Sequence, residues 1–358
     1  MKRGITRRAM LIASSGLGSA LAASAAQKTT RKPRAPETPG EFVRFVDPVT
    51  EAWVVRLTAT SSTGLLPAPQ NRFIAAKRRF LVFSSDRTGT MTPFYLDLRS
   101  GALHELATTK QLVPSSLCLD ARDRSVYLID GGVLKEISLS NHKVRTVAED
   151  VTAFGLSCSG TSFAIVRRGR LFRLGSLRPI AEEVALGPFL RPDGSGCLYG
   201  RNVDNGCEFW YVSWNADNRP VRLARGSISC PFWSPDGKSV LFLRDVPAGS
   251  AILSEVHAVV PETGQEHRVD PTSQFAAFAP NGNASVFVGA SRSKAQPNVI
   301  LLLRSIAREL TLCEHGASNP AAVTPVFSPD SRRIYFQSDR EGKWAIYSIN
   351  VENFVEPT

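Results

Sequence analysis

One frame recurs along this chain and limits what it can fold into: an apolar strand, a Ser-Pro-Asp-like turn, then a second strand. It is clearest in FWSPDGKSVLFLRD (232–245) and VFSPDSRRIYFQSD (326–339). Weaker copies are FIAAKRRFLVFSSD (73–86), LDARDRSVYLID (119–130), LSCSGTSFAIVRR (156–168), LRPDGSGCLYG (190–200) and FAPNGNASVFVGA (278–290). With Asp330 of the last turn as reference, the equivalents are Lys77, Arg122, Ser159, Asp193, Asp236 and Asn281, spaced by 45, 37, 34, 43, 45 and 49 residues. Each repeat goes on through a second turn to a third strand, such as FYLDL or AIYSI, and often through a Ser-Gly or Thr-Gly turn to a fourth. Asp, Asn, Ser and Gly supply the turn chemistry, and β-branched and aromatic residues fill the strands. Four antiparallel strands in roughly 40 residues, repeated seven times, predict a seven-bladed all-β propeller of four-stranded blades.

Closure of the ring is also predicted. The last repeat has three recognisable strands before the chain ends at Thr358, while Ala52–Thr58 is an orphan strand ahead of the first repeat. That N-terminal strand would complete the last blade and leave no sheet edge open. The predicted organisation is an export signal at 1–26, a Pro-rich basic linker at 27–44 and the propeller at 45–358.

The first 27 residues carry Lys2, Arg3, Arg7 and Arg8, then a modestly apolar run, then Ala23-Ser24-Ala25 as a small-residue cleavage site. This is the pattern of an export signal, and Arg7-Arg8 resembles the twin-arginine type. A periplasmic or secreted location is therefore expected, with no transmembrane domain after signal removal. The formal net charge of +11 then changes meaning. Four positive charges lie in the signal and a net three in residues 28–40, which leaves about +4 on the folded part, too little for a nucleic-acid footprint. There is no G-x-G-x-x-G, P-loop, G-x-S-x-G or EF-hand pattern.

Few side chains suggest chemistry. Cys118, Cys158, Cys197, Cys207, Cys230 and Cys313 are scattered without any C-x-x-C, and six thiols allow fifteen pairings; most are expected to act as small buried apolar residues. His104, His142, His257, His267 and His315 form no i, i+2 or i, i+4 pair and are expected at turns or on the surface. The carboxylates Asp86, Asp236, Asp330 and Asp339 hold fixed places in the repeats and are expected to form turns. Trp53, Trp210, Trp214, Trp233 and Trp344 sit on strand patterns, most of them as core. Arg167, Arg168, Arg170, Arg201 and Arg244 are candidates for binding carboxylates, against a background reading as exposed hairpin-tip charges.

The S-P-D-G-K repeats resemble the TolB-type (PD40) propeller repeats of the bacterial periplasm. DPVTEAWVVRLT (47–58), FLVFSSDRTGTMTPFYLDLRSGALHEL (80–106) and the closing VFSPDSRRIYFQSDREGKWAIYSI (326–349) further resemble the oligogalacturonate lyases, a pectin-degrading propeller family. That resemblance implies β-elimination from a galacturonate, with a divalent cation such as manganese held by three histidines and a glutamine, and a histidine as base. Carried over residue by residue, the ligand positions fall at Cys230, Ala322, Thr324 and Asn319, and the base at Arg201 or Asn202. None of these is the family's residue. Arg201, Asn202, Cys230, Asn319 and Thr324 remain as substrate-binding candidates, with Arg201 the catalytic candidate and no metal or other cofactor expected.

The resulting expectation is an exported propeller that binds an acidic oligosaccharide or a cell-envelope protein. The alternative is a divergent carbon–oxygen lyase acting on uronate oligosaccharides.

Overall fold

A computed structural model describes residues 40–77, 79–160, 162–214, 219–249, 251–272 and 274–358. The proposed signal and most of the proposed linker lie outside the described residues. Seven antiparallel sheets follow one another around a closed ring, with three single-turn 3-10 helices and no longer helix among the described residues. Blade 1 comprises Gly64–Leu65, Phe80–Ser85, Thr92–Asp97 and Leu103–Glu105. Blade 2 comprises Cys118–Leu119, Ser125–Asp130, Val133–Ser138 and Val144–Ala148. Blade 3 is built from Ala153–Leu156, Phe163–Arg167 and Arg170–Arg173. Blade 4 holds Leu186–Leu190, Gly196–Val203, Gly206–Ser213 and Val221–Gly226. Blade 5 holds Ile228–Trp233, Val240–Ala248, Ala251–Val259 and Glu266–Pro271. Blade 6 holds Phe275–Pro280, Val286–Ser291, Asn298–Leu303 and Arg308–Glu314.

Blade 7 closes the ring, and it has five strands where four are expected. Val326–Phe327, Arg333–Ser338 and Ala345–Asn350 come from the C-terminal repeat; Trp53–Arg56 pairs with Ala345–Asn350, and Val43–Val46 lies outside it. The folded region therefore begins before residue 45, inside the stretch expected as linker. Blade 3 departs the other way. Its outermost place is taken by residues 180–184, tied to the third strand by Leu171 N–H to Ala181 O at 2.8 Å, Ile180 N–H to Leu171 O at 2.8 Å and Val184 N–H to Gly169 O at 2.9 Å. Pro179 has no N–H to give, so a regular fourth strand does not form there.

The repeat turn works through one side chain. Ser234 Oγ accepts from Ser239 N–H and Ser328 Oγ from Arg333 N–H, each at 3.0 Å, while the same residues' N–H groups bond the carbonyls five positions on. Ser157, Asp120 and Asn281 repeat the arrangement with Ser162, Ser125 and Val286. This corrects the register of blade 6: Asn281 is equivalent to Ser328, so the counterpart of Asp330 is Asn283. The strand runs on through Pro280, and the turn opens two residues later than the Asn-Gly pair suggests. A left-handed residue sits one place after six of the reference positions, either glycine (Gly160, Gly194, Gly237) or a strained substitute (Asp123, Ala284, Ser331).

Side-chain alternation along each strand points one set of residues at the preceding blade and the other at the following blade. Aromatic pairs knit successive blades in this way: Tyr127 with Phe163 at 5.0 Å, Phe209 with Phe242 at 5.7 Å, and Phe232 with Phe278 at 5.5 Å between ring centroids. The five tryptophans, most of them expected in the core, are not fully buried. Trp210, Trp214, Trp233 and Trp344 are half-buried and Trp53 is exposed. Their indoles pack at rims, several beneath arginines, as with Arg44 over Trp53 at 4.1 Å. A large ring with one polar N–H fits a wet edge better than a dry interior.

Candidate functional site

Three neighbouring blades break register at the same end of their first strands, between Leu186 and Phe189, Ser229 and Phe232, and Phe275 and Ala277. Such bulges bend a strand and re-aim its side chains. They border a cavity of about 420 Å³ whose walls include Asn202 and Cys207 of blade 4, Ser229 and Cys230 of blade 5, Thr324 before the first strand of blade 7, and Gln70 from blade 1.

Strand alternation decides which candidate in blade 4 reaches this space. Leu198 faces blade 5, and Tyr199 faces the core shared with blade 3. Asn202 therefore lines the cavity with Cys207, its cross-strand partner. Arg201 points the other way, 4.6 Å over the Trp210 ring, with Nη1 3.8 Å from Glu183. The candidate base position thus resolves to an amide.

Cys230 and Thr324 have positive φ, 51° and 43°. For a β-branched residue this is a sterically costly conformation, of order 1–3 kcal/mol, that the surrounding fold must hold in place. Cys230 Sγ donates to Ala276 O at 3.8 Å. Burial pushes its thiol up from the ordinary value, so it stays protonated at neutral pH. Thr324 Oγ1 is buried and has no hydrogen-bond partner among the described residues.

The other candidates lie outside the cavity wall. Asn319 caps a 3-10 turn, its Oδ1 accepting from Ala321 N–H at 3.1 Å. The Ala322 carbonyl accepts from Gln337 Nε2 at 2.7 Å. Arg168 lies 3.4 Å from Asp150, Arg170 lies 3.3 Å from Glu182, and Arg244 forks onto Glu266. Arg167 bonds the Glu149 carbonyl at 2.9 Å. Arg292 bonds Asp245, Ser254 and the Phe275 carbonyl through Nη2, while its Nε is buried without a hydrogen-bond partner among the described residues; it does not line the cavity. The turn carboxylates serve the backbone as expected: Asp236 accepts from Lys238 N–H, Asp330 from Arg332 N–H, Asp86 from Thr63 N–H and Asp339 from Ser318 N–H. The histidines are more varied than expected. His257 lies between Glu255 and Glu266 on blade 5, and His315 is wholly buried.

Two contributors were not legible as site residues. Gln70 belongs to a long excursion between the first two strands of blade 1, just ahead of the repeat frame that opens at Phe73; its Nε2 donates to Pro231 O at 3.1 Å. Cys207 follows from Asn202 once the hairpin register is known.

No family model and no curated protein matches the chain. Solved structures do. An oligogalacturonate lyase in complex with manganese matches with a TM-score of 0.79 at 19% identity, over 89% of this chain and 98% of its own. The fold is that of these lyases. An oligogalacturonate lyase from Vibrio parahaemolyticus gives 0.78 at 20% identity, over 89% and 99%. A TolB from Acinetobacter baumannii matches at 0.43, too distant to carry an argument.

The manganese of that structure poses a test of donor chemistry. Mn²⁺ selects carboxylate, carbonyl, water and imidazole ligands over thiols. The polar groups around this cavity are amides, hydroxyls and two thiols, and no group of three or more His, Cys, Asp or Glu able to hold a metal occurs among the described residues. The residues present do not fit the metal.

Proposed function

We propose that this chain is an exported propeller that works as a binding module of the cell envelope, and that the cavity at the starts of the first strands of blades 4–7 receives a neutral polar group of its ligand. One observation carries this reading. Among the described residues the cavity wall holds no carboxylate, imidazole or cation and burial pushes its two thiols up, while Asn202, Gln70, Ser229 and the unpartnered Thr324 hydroxyl offer neutral hydrogen-bonding groups against Leu186, Ile228 and Phe278. β-Elimination beside a carboxylate needs a group to take the proton and positive charge to hold the enolate-like transition state. Neither function has a candidate in the wall. An acidic oligosaccharide would have to present its hydroxyls rather than its carboxylates here.

The export reading rests on the leader sequence. No helix among the described residues is long and apolar enough to cross a membrane.

The competing reading, a divergent lyase, draws on the fold shared with oligogalacturonate lyases and on the strained backbone at Cys230 and Thr324. Incubation with digalacturonate, with and without manganese, separates the two through the ultraviolet absorbance of an unsaturated product. The expected result is no product in either case. Product that disappears in Asn202→Ala overturns the binding reading.

A further inference from the structure

Arg201, turned away from the cavity, carries a positive charge that the chain does not answer. Its side chain is only 23% exposed, and the guanidinium lies 4.6 Å over the Trp210 ring and 5.7 Å from that of Tyr199. Nε is buried without a hydrogen-bond partner among the described residues. Tyr199 is fully buried beside it, and the Tyr199 hydroxyl likewise has no partner there. This corner between blades 3 and 4 therefore holds donors and lacks acceptors.

The nearby acids are committed elsewhere or held off. Glu208, opposite Arg201 in the hairpin, accepts from Trp210 Nε1 at 3.0 Å and from Arg222 at 3.2 Å, with Arg225 3.6 Å away. Glu182 lies 3.3 Å from Arg170. Among the described residues the one ion partner of Arg201 is Glu183, whose side chain is 82% exposed and stands 3.8 Å from Nη1, too far for a hydrogen bond. Glu183 belongs to the segment that replaces a fourth strand in blade 3, and its backbone is left-handed, φ 59°. It approaches the guanidinium from solvent without closing on it.

A guanidinium withdrawn from water and left unmatched costs free energy that a bound anion would offset. Stacked on Trp210, the planar group is fixed in advance for a two-pronged partner. We propose that Arg201 is a carboxylate-binding site, where the acid group of a small ligand displaces Glu183 and takes two hydrogen bonds from the guanidinium. Arg170, Arg222 and Arg225 are already engaged, so one charge is on offer, which matches a carboxylate rather than a doubly charged phosphate. Asn202 occupies the other face of the same hairpin, so the proposal stands whatever the cavity binds.

The Nε–H of Arg201, shielded from solvent, gives a signal of its own in proton–nitrogen correlation spectra of the full chain. Galacturonate and acetate should each shift it saturably at concentrations on the order of millimolar, the range that two charge-assisted hydrogen bonds allow. Galactose, and sodium chloride at the same concentration, should not. Glu183→Gln removes the competing carboxylate from an exposed position and should tighten galacturonate binding roughly two- to fivefold. Arg201→Lys keeps the charge but loses the fork, and calorimetry should show binding weakened about tenfold or more. Arg168→Gln, at the tip of the blade 3 hairpin, should leave it unchanged. No shift at ~10 mM galacturonate in either the wild type or Glu183→Gln overturns the proposal. An equal shift with sodium chloride also overturns it, being screening of Arg201 from Glu183, as does an equal shift with galactose or a stronger one with phosphate.

Discussion

His315 shows how far a single residue's role depends on where the fold places it. It is wholly buried, donates from Nε2 to Ser291 O at 3.0 Å and accepts from Ala317 N–H at Nδ1 at 3.0 Å. This fixes a neutral tautomer, and protonating Nδ1 would strand the Ala317 N–H. Burial holds the ring's affinity for protons below its ordinary value. A base whose folded pKa is depressed binds more protons when unfolded, so its contribution is complete above the unfolded value of about 6.5 and is lost as pH falls through the lower folded one. The melting temperature should therefore drop below about pH 6.5, and His315→Ala should be destabilised by ~1–3 kcal/mol at pH 7 with a flatter pH profile in that window. An unchanged profile in the variant would remove His315 from the account.

The thiols make a second residue-scale test. Cys118, Cys197 and Cys313 are buried free thiols, whereas Cys158 lies exposed in the blade 3 turn. Burial pushes the Cys118 thiol up to about 12 and the other two higher still. Thiolates, not thiols, are alkylated. Iodoacetamide at neutral pH should modify Cys158 well before these three, as peptide mass mapping would show; early labelling of Cys197 would contradict its placement between blades 3 and 4.

At the scale of the element, the repeat turn and the closing strand carry the fold. The turn was readable because its donors and acceptors are local: a Ser, Asp or Asn side chain bonds the backbone five residues on, and nothing distant is involved. The blade 6 register shows the limit of such local signals. Asn-Gly marks a turn, but Asn281 still pairs with Val286 through its N–H and its Oδ1, so the turn opens only after Asn281. The closing strand depends on a contact between residues nearly 300 positions apart, with Val54 opposite Ile349 and fully buried. Val54→Asp places a carboxylate in that core, where desolvating a charge costs several kcal/mol. It should lower stability by about 3 kcal/mol or more in denaturant titrations, against under ~1.5 kcal/mol for Val54→Ile.

For the whole molecule, ring closure sets which charges meet. Of the formal charge of +11, four positive charges lie in residues 1–27 and a net three in 28–40. On the ring, cations and acids pair at both ends: Arg191 with Glu262 and Lys238 with Asp236 beside the Ser-Pro-Asp turns, Arg168 with Asp150 and Arg292 with Asp245 at the cavity end. No sequence window shows the pairs between blades: Arg191 and Glu262 lie 71 residues apart in the chain and meet only through the packing of neighbouring blades.

The sequence by itself determined the architecture: seven repeats, their turn chemistry and the need for an N-terminal strand to seal the last blade all follow from local pattern and from the cost of an open sheet edge. Its resemblance to the oligogalacturonate lyases also set the expectation that the family's ligand positions fall at Cys230, Asn319, Ala322 and Thr324. Tertiary structure alone places Asn202, Cys230 and Thr324 on one cavity while Arg201 turns away, starts the outermost strand at Val43, and brings Arg191 of blade 4 to Glu262 of blade 5. A period-2 strand fixes which neighbours share a face but not which face meets a cavity; that depends on how the twisted blades pack, and packing is a property of the closed ring.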